Sequence, residues 1–145
     1  MSAALLDVNV LIALFDPAHP HHDRAHAWFG PAKKKAWATC PMTINGCVRV
    51  LSQPAYPSFT VTPGEVVSAL RELCESPAHE FWGDDVSLLD STLFRPTQLE
   101  GAKKITDAYL LGLAVKREGF LVTFDRTIPL RVVVGASRNH LRVLD

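Results

Sequence analysis

The chain opens on a short apolar run that gives way at once to a helical pattern. Residues 3–6 contain no polar side chain, which is typical of a buried strand. The apolar residues that follow have the i, i+3, i+4, i+7 spacing of one helix face: Val8, Leu11, Ile12 and Phe15. The change from strand to helix falls at Asp7, so a carboxylate stands directly after the first predicted strand.

The alternation of strand-like and helix-like segments continues along the chain. The clearest helix start is Thr62-Pro63-Gly64-Glu65, with a capping threonine, a proline at the first helical position and a glutamate three residues after the cap. We expect Gly30-Pro31 to stop the second helix and Gly119 to be the C′ residue of the last one. The later predicted helices span residues 22–29, 43–51, 62–75 and 106–119, and the later predicted strands span 36–40, 80–82, 120–123 and 141–144.

Short apolar strands that alternate with helices indicate an α/β sheet covered on both faces. The proline-rich stretch 52–63 is too short for a domain linker, and we expect residues 1–145 to form a single domain. Ligands of such sheets bind beyond the carboxyl ends of the strands. This rule selects Asp7, after the first strand, and Asp125, after the fourth.

Composition supports a globular protein and excludes other classes. The 145 residues are 48% hydrophobic, too apolar for a disordered chain, and no apolar run approaches the roughly 20 residues of a membrane span. The formal net charge is zero, which by itself gives no hint of nucleic-acid binding, although residues 99–145 hold 8 basic and 5 acidic side chains. Three cysteines without a Cys-x-x-Cys pair, and an amino terminus without a basic region, predict reduced thiols, no signal peptide and a cytoplasmic protein.

Three carboxylates stand at element ends, and each has an ordinary structural explanation. Asp7 can cap the following helix, Asp107 can be a first-turn acid favoured by the helix dipole, and Asp125 can be a turn former. Their combination is more informative. If the first and fourth strands are neighbours in a parallel sheet, the three carboxylates converge at one edge, where their repulsion favours protonation or a bound cation.

The type of ligand indicates the type of cation. Oxygen ligands without an accompanying thiol or imidazole favour Mg²⁺ or Mn²⁺. A Mg²⁺ ion held by a few carboxylates keeps several waters, and one of these can attack a phosphodiester while the cation offsets charge on the phosphate oxygens. The residues therefore indicate metal-dependent phosphodiester chemistry at Asp7, Asp107 and Asp125.

Three segments carry these carboxylates: Leu-Leu-Asp7-Val-Asn9-Val-Leu-Ile-Ala-Leu, Thr106-Asp107-Ala-Tyr-Leu-Leu-Gly-Leu-Ala and Val-Thr123-Phe-Asp125-Arg. In this order and spacing the chain resembles, over nearly its whole length, the PIN-domain ribonucleases, and within them the VapC toxins of VapBC toxin–antitoxin systems. The resemblance implies a three-layer, Rossmann-like α/β/α sandwich with a mostly parallel sheet and a Mg²⁺- or Mn²⁺-dependent endoribonuclease. It also implies a homodimeric toxin inhibited by a cognate VapB-type antitoxin. By position, Asp7, Asp107 and Asp125 match three of the family's acidic residues.

The chain departs from the family pattern in one helix. PIN domains usually carry another acidic residue in the helix after the second strand, but here that helix contains no carboxylate, and Asn45 is the nearest substitute. Asn45 can hold a metal-bound water but brings no charge. We therefore expect a single metal, held mainly by Asp7 and Asp107, rather than two ions about 3.5–4 Å apart. Three further acids are expected to lie in a solvated turn: Asp84, Asp85 and Asp90.

Two other functions are compatible with the sequence. Since the fourth acid is missing, the chain can be a PIN-fold protein that binds RNA or a partner with weak cleavage or none. A phosphotransfer domain with Asp7 as nucleophile, as in haloacid-dehalogenase-like enzymes, is disfavoured, because those enzymes prefer a second aspartate where this chain has Asn9.

Other clusters have structural explanations beside functional ones. His22 and His26 have the i, i+4 spacing of a helical metal site, but no third ligand is evident, and a polar helix start is the simpler interpretation. Phe81 and Trp82 can stack on a base, although burial in the core or a dimer interface is the simpler interpretation. The run Lys33-Lys34-Lys35 can contact RNA phosphates, and a solvated loop explains it equally well. A separate set of cations can form exposed salt bridges or a basic rim that grips RNA around the acidic cleft: Arg49, Lys103, Lys104, Lys116, Arg126, Arg131 and Arg138.

Overall fold

A computed structural model describes residues 2–145 and places a sheet of five parallel strands at the centre. The strands are β1 (Ala4–Leu6), β2 (Trp37–Thr39), β3 (His79–Phe81), β4 (Phe120–Thr123) and β5 (Leu141–Val143). They lie in the order β3-β2-β1-β4-β5. Leu6 of β1 pairs with Val122 of β4, which confirms that the first and fourth strands are neighbours.

Helices cover both faces of this sheet. They are α1 (Val8–Phe15), α2 (His22–Ala32), α3 (Pro41–Leu51), α4 (Pro63–Leu73) and α5 (Ile105–Lys116). Successive side chains of β1 point to opposite faces: Leu5 packs in a buried cluster with α5, whereas Ala4 and Leu6 pack in a second cluster with α1 to α4. The molecule is therefore the predicted three-layer α/β/α sandwich.

Local capping explains where two helices begin. Pro41 takes the first helical position of α3, and the Thr43 hydroxyl accepts a hydrogen bond from the Cys40 N–H (3.0 Å), so α3 begins two residues before its predicted start. At α4 the predicted capping box is present. The Thr62 hydroxyl accepts from the Glu65 N–H (3.1 Å), and the Glu65 carboxylate accepts from the Thr62 N–H (3.0 Å).

Two predicted helix ends are wrong. Gly30-Pro31 does not stop α2, which continues to Ala32. Pro31 is the last residue but one of the helix, and its missing N–H removes only one backbone hydrogen bond there. Glu118, not Gly119, takes the left-handed conformation after α5 (φ 56°). Gly119 is required for close packing instead: a Cβ there would lie 2.4 Å from the Ala3 carbonyl oxygen.

The remaining predicted boundaries shift by one to three residues. α4 ends at Leu73 and α5 ends at Lys116, each before its predicted last residue, and β3 begins one residue earlier than predicted. The stretch between β3 and α5 contains two short 3₁₀ segments, Pro96–Gln98 and Ala102–Lys104. The second of these leads directly into α5 and so determines where that helix starts.

The connection from α3 to α4 is tied to the end of α1. Asp16, which is 2% exposed, accepts hydrogen bonds from the Tyr56 hydroxyl (2.5 Å), the Ser58 hydroxyl (2.7 Å) and the Ala18 N–H (2.9 Å). A buried carboxylate with this many donors holds the proline-rich loop in place.

The three cysteines are free thiols, as predicted, with Cys40 and Cys47 buried. Within residues 2–145, no helix has both the length and the apolar composition needed to cross a membrane.

Candidate functional site

Asp7 lies at the carboxyl end of β1, where the sheet meets α1. Its backbone N–H donates to the Val122 carbonyl of β4 (2.9 Å). One carboxylate oxygen caps α1 by accepting from the Val8 N–H (2.7 Å), and the other accepts from the Thr123 hydroxyl (2.8 Å). The explanation of Asp7 as a helix cap is therefore correct, but it accounts for only one of the two oxygens.

A hydrogen-bond network centred on Thr123 joins the ends of β1 and β4. The buried Thr123 hydroxyl accepts from the Asn9 side-chain amide (3.2 Å) and from the Asp125 N–H (3.0 Å) while it donates to Asp7. Asn9 in turn accepts from the Phe124 N–H (3.2 Å). The sequence analysis missed the central role of Thr123. The feature that could have identified it is a hydroxyl side chain at the end of a buried strand, two positions before an aspartate.

Asp125 follows β4 in a tight turn. Its Oδ1 accepts from both the N–H (2.8 Å) and the hydroxyl (2.6 Å) of Thr127, and the Lys104 Nζ lies 3.8 Å from its Oδ2. Partial burial opposes ionisation, but the hydrogen bonds from Thr127 outweigh it and hold the pKa of Asp125 below its ordinary value. Asp125 is thus a turn former that also stays charged.

Asp107 completes the group from the first turn of α5. Burial, and then the charges of Asp7 and Asp125, raise the pKa of Asp107 to about 6. Burial also raises the pKa of Asp7, against the hydrogen bonds from Thr123 and Val8, and the charge of Asp125 adds to the rise. The structure therefore brings Asp125 close enough to Asp7 and Asp107 to disfavour the ionised forms of those two carboxyls, while Asp125 itself stays below its ordinary pKa.

These carboxylates suit a hard divalent cation, because they are all oxygen donors and a cation would relieve their repulsion. Within the described part of the chain, no three His, Cys, Asp or Glu side chains form a ready-made metal-binding group. The carboxylate oxygens of Asp7 and Asp125 are engaged by protein donors instead. A cation that binds here must therefore compete with those donors.

The helix that lacks a carboxylate packs directly on α1. A Cβ at Gly46 would lie 2.7 Å from the Val8 side chain, so the backbone of α3 approaches α1 next to Asp7. Asn45, one residue before this contact, is exposed. Asp84 is exposed too, Asp85 pairs with Arg117 (3.1 Å) and Asp90 accepts from Thr92 (2.6 Å), as expected for a solvated turn.

The direction of the sheet divides the cations of the predicted basic rim. Lys103 and Lys104 directly precede α5, and Arg126 follows Asp125, so these three flank the carboxylates. Two other members lie at the opposite edge of the sheet, Lys116 at the end of α5 and Arg138 before β5. The separate run of three lysines, residues 33–35, precedes β2 at that same edge. Arg131 is paired with Glu100 (2.6 Å), and Arg49 is exposed in the last turn of α3. The rim as predicted is therefore only partly formed.

The histidines of α2 serve the end of α1. The His22 ring bonds to the Ala13 carbonyl (2.8 Å) and the His26 ring to the Leu14 carbonyl (2.8 Å), which belong to the last turn of α1 and have no partner within that helix. Trp82 is buried in the core, as the simpler interpretation held, whereas Phe81 is 59% exposed.

Known proteins share this chain's sequence over most of its length. A model of the PIN domain matches residues 4–132, which include all three carboxylates. Ribonuclease VapC44 of Mycobacterium tuberculosis (strain ATCC 25618 / H37Rv) is 47% identical over 141 residues, 97% of this chain and 99% of that protein. From the same strain, ribonuclease VapC39 is 38% identical over 125 residues (86% and 90%), and ribonuclease VapC38 is 41% identical over 122 residues (84% and 84%).

Proposed function

Because the chain belongs to the PIN-domain family, and within it to the VapC ribonucleases, we propose that it is the toxin of a type II toxin–antitoxin system and a Mg²⁺-dependent endoribonuclease. The observation that carries this proposal is the placement of Asp7, Asp107 and Asp125 at the carboxyl edge of the sheet, where, in addition to burial, the charge of Asp125 raises the pKa of Asp7, and Asp7 and Asp125 raise the pKa of Asp107. Such a group is suited to Mg²⁺, and Mn²⁺ has the same ligand preference.

We assign the cation to the carboxylates of Asp7, Asp107 and Asp125, with Asp7 and Asp107 as its main ligands. When bound, the divalent cation supplies Lewis-acid chemistry for attack of water on an RNA phosphodiester. Thr123 orients the second oxygen of Asp7, and Asn9 holds Thr123 in turn. Since α3 carries no carboxylate, the charge present is suited to one ion rather than two.

The charges around the site indicate its partners. Lys103, Lys104 and Arg126 flank the carboxylates and are suited to the phosphates on either side of the cleaved bond. The acidic cluster is itself a receptor for an Arg or Lys side chain, so we propose that a cognate VapB-type antitoxin inserts such a residue there and blocks the cation. By family membership we also propose that the toxin is a homodimer.

Replacing Asp7 by asparagine tests the proposal. Asp7→Asn keeps an acceptor oxygen for the Val8 N–H but removes the charge and the acceptor of the Thr123 hydroxyl, so RNA cleavage and host growth arrest should be lost while the chain still folds. Asp23→Asn, at an exposed position of α2, is the matched control and should cleave RNA as the unmodified chain does. Cleavage should also stop when EDTA is added and return with Mg²⁺. Full, EDTA-sensitive cleavage by Asp7→Asn would refute the assignment.

A second function is favoured by the absence of a carboxylate from α3. In that case the chain binds RNA or a protein partner without cutting it. Titration of the unmodified chain with Mg²⁺ and then Mn²⁺, in the presence of total cellular RNA, separates the two functions. RNA that is bound but gives no metal-stimulated product at any concentration supports the binding function, and new 5′ ends at defined positions support the nuclease.

A further inference from the structure

One cation of the chain already lies on the acidic site. The Lys104 Nζ is 3.8 Å from Asp125 Oδ2 and also contacts the hydroxyl of Thr127, which binds the other oxygen of Asp125. The two charged side chains are 24% and 29% exposed, less than the partners of any other ion pair in the described chain. Charges that are shielded from water in this way interact more strongly than surface pairs.

The position of Lys104 in the chain is unfavourable for the helix that follows. Lys104 immediately precedes α5, and its side chain makes no capping hydrogen bond. A cation at a helix amino terminus opposes the helix dipole, so α5 alone does not explain a lysine here. Its ammonium instead reaches the end of β4, and its charge offsets those of Asp107 and Asp125 together.

We propose that Lys104 is an internal counter-ion of the acidic site, which a divalent cation must displace from Asp125. This inference rests on the proposed metal-dependent function. The ammonium and the cation both need the carboxylate of Asp125, and two positive charges cannot share it without mutual repulsion. In the metal-free chain Lys104 holds Asp125 and limits the repulsion within the site; it thereby sets how tightly the cation binds. Lys104 is thus a positioning residue.

Mn²⁺ binding to the full metal-free chain, measured by calorimetry at about pH 8, which is above the pKa of Asp107, tests this inference. Lys104→Met removes the competing charge, so the dissociation constant for Mn²⁺ should fall about tenfold. Lys116→Met, a matched control at the exposed far end of α5, should bind Mn²⁺ as the unmodified chain does. Tighter binding distinguishes a counter-ion from a merely structural residue, whose loss would loosen the site and weaken binding.

Two more variants guard against a folding defect. Lys104→Gln should also bind Mn²⁺ more tightly, whereas Lys104→Arg keeps the charge and should bind it as the unmodified chain does. Suppose that the unmodified chain binds Mn²⁺ but that neither Lys104→Met nor Lys104→Gln binds it more tightly. That result overturns this inference and leaves the proposed function intact. Absence of Mn²⁺ binding in every variant overturns the metal site and this inference together.

Discussion

The charge of Asp107 destabilises the chain when no cation is bound. Burial and the neighbouring carboxylates raise the pKa of Asp107 to about 6 from an ordinary value of 3.8. Between these two values the native chain holds a proton that the unfolded chain has released, so the free energy of unfolding falls as the pH rises. Above the native pKa the full loss of stability is present.

Asp107→Asn should therefore stabilise the metal-free chain at neutral pH. We expect the free energy of unfolding to rise by about 1 kcal/mol. This is well below the roughly 3 kcal/mol that a rise from 3.8 to about 6 represents in full, because Asp107 is half-buried and water screens part of the interaction. Urea unfolding in EDTA measures the effect, which should vanish as the pH falls below the ordinary carboxyl range. A variant that is less stable than the unmodified chain at neutral pH would contradict this interpretation.

The Thr123 hydroxyl links two of the acidic residues, since it donates to the Asp7 carboxylate and accepts from the Asp125 N–H. Removing this hydroxyl tests its role. Thr123→Val keeps the shape but leaves the Asn9 amide and the Asp125 N–H without their acceptor, and one oxygen of Asp7 without its donor. We expect a loss of about 1–3 kcal/mol in unfolding free energy and a lower kcat for RNA cleavage. Thr123→Ser retains the hydroxyl and should restore kcat. If Thr123→Val and Thr123→Ser cleave equally well, the hydroxyl has no positioning role.

At the level of elements, prediction succeeded where the signal is local. The capping box of α4 lies within four consecutive residues, Thr62 to Glu65, and the structure has it as predicted. The prediction for the end of α5 was wrong because the residues that pack against Gly119 are distant in sequence. Gly119 packs closely against Ala3, just before β1, and against the Trp82 ring, while the left-handed conformation falls on Glu118 instead.

The same distinction explains the site. The placement of Asp7 and Asp125 at one edge of the sheet was predictable, because each follows an apolar strand in the sequence and parallel strands end at the same edge. Their partners were not predictable. Thr123 and Asp7 are 116 residues apart and Lys104 and Thr127 are 23 apart, and only the folded sheet and the turn before α5 bring them together.

The turn between α5 and β4 offers two substitutions of opposite sign. The left-handed conformation costs a residue with a side chain about 1–2 kcal/mol, and Glu118→Gly removes this cost. Glycine is more flexible in the unfolded chain, which offsets part of the gain. We therefore expect the free energy of unfolding to rise by about 0.5 kcal/mol. Gly119→Ala should lower it by about 1–3 kcal/mol, since its Cβ would meet backbone. Urea unfolding of both variants tests this pair, and a neutral Gly119→Ala would contradict the packing.

For the molecule as a whole, zero net charge conceals an arrangement set by the direction of the sheet. The acids meet at the carboxyl edge, and the cations that flank them there come from residues 99–145, the segment with an excess of basic side chains. The run of three lysines precedes β2 and so lies at the amino edge. A net charge of zero is therefore compatible with RNA binding at the carboxyl edge of the sheet.

This arrangement predicts that position, not the number of charges, governs RNA affinity. The test uses an Asp7→Asn background, which should bind RNA without cutting it. In this background the double substitution Lys103→Gln and Arg126→Gln should weaken RNA binding. It should also reduce the magnitude of the slope of log affinity against log salt concentration by about 1.4, which is about 0.7 for each of two phosphate contacts to single-stranded RNA. Replacing all three residues of the Lys33-Lys34-Lys35 run by glutamine removes more charge, yet should change that slope less. Fluorescence anisotropy with one RNA over a range of salt concentrations measures both. A larger change of slope for the lysine run would place the RNA at the amino edge of the sheet, away from Asp7.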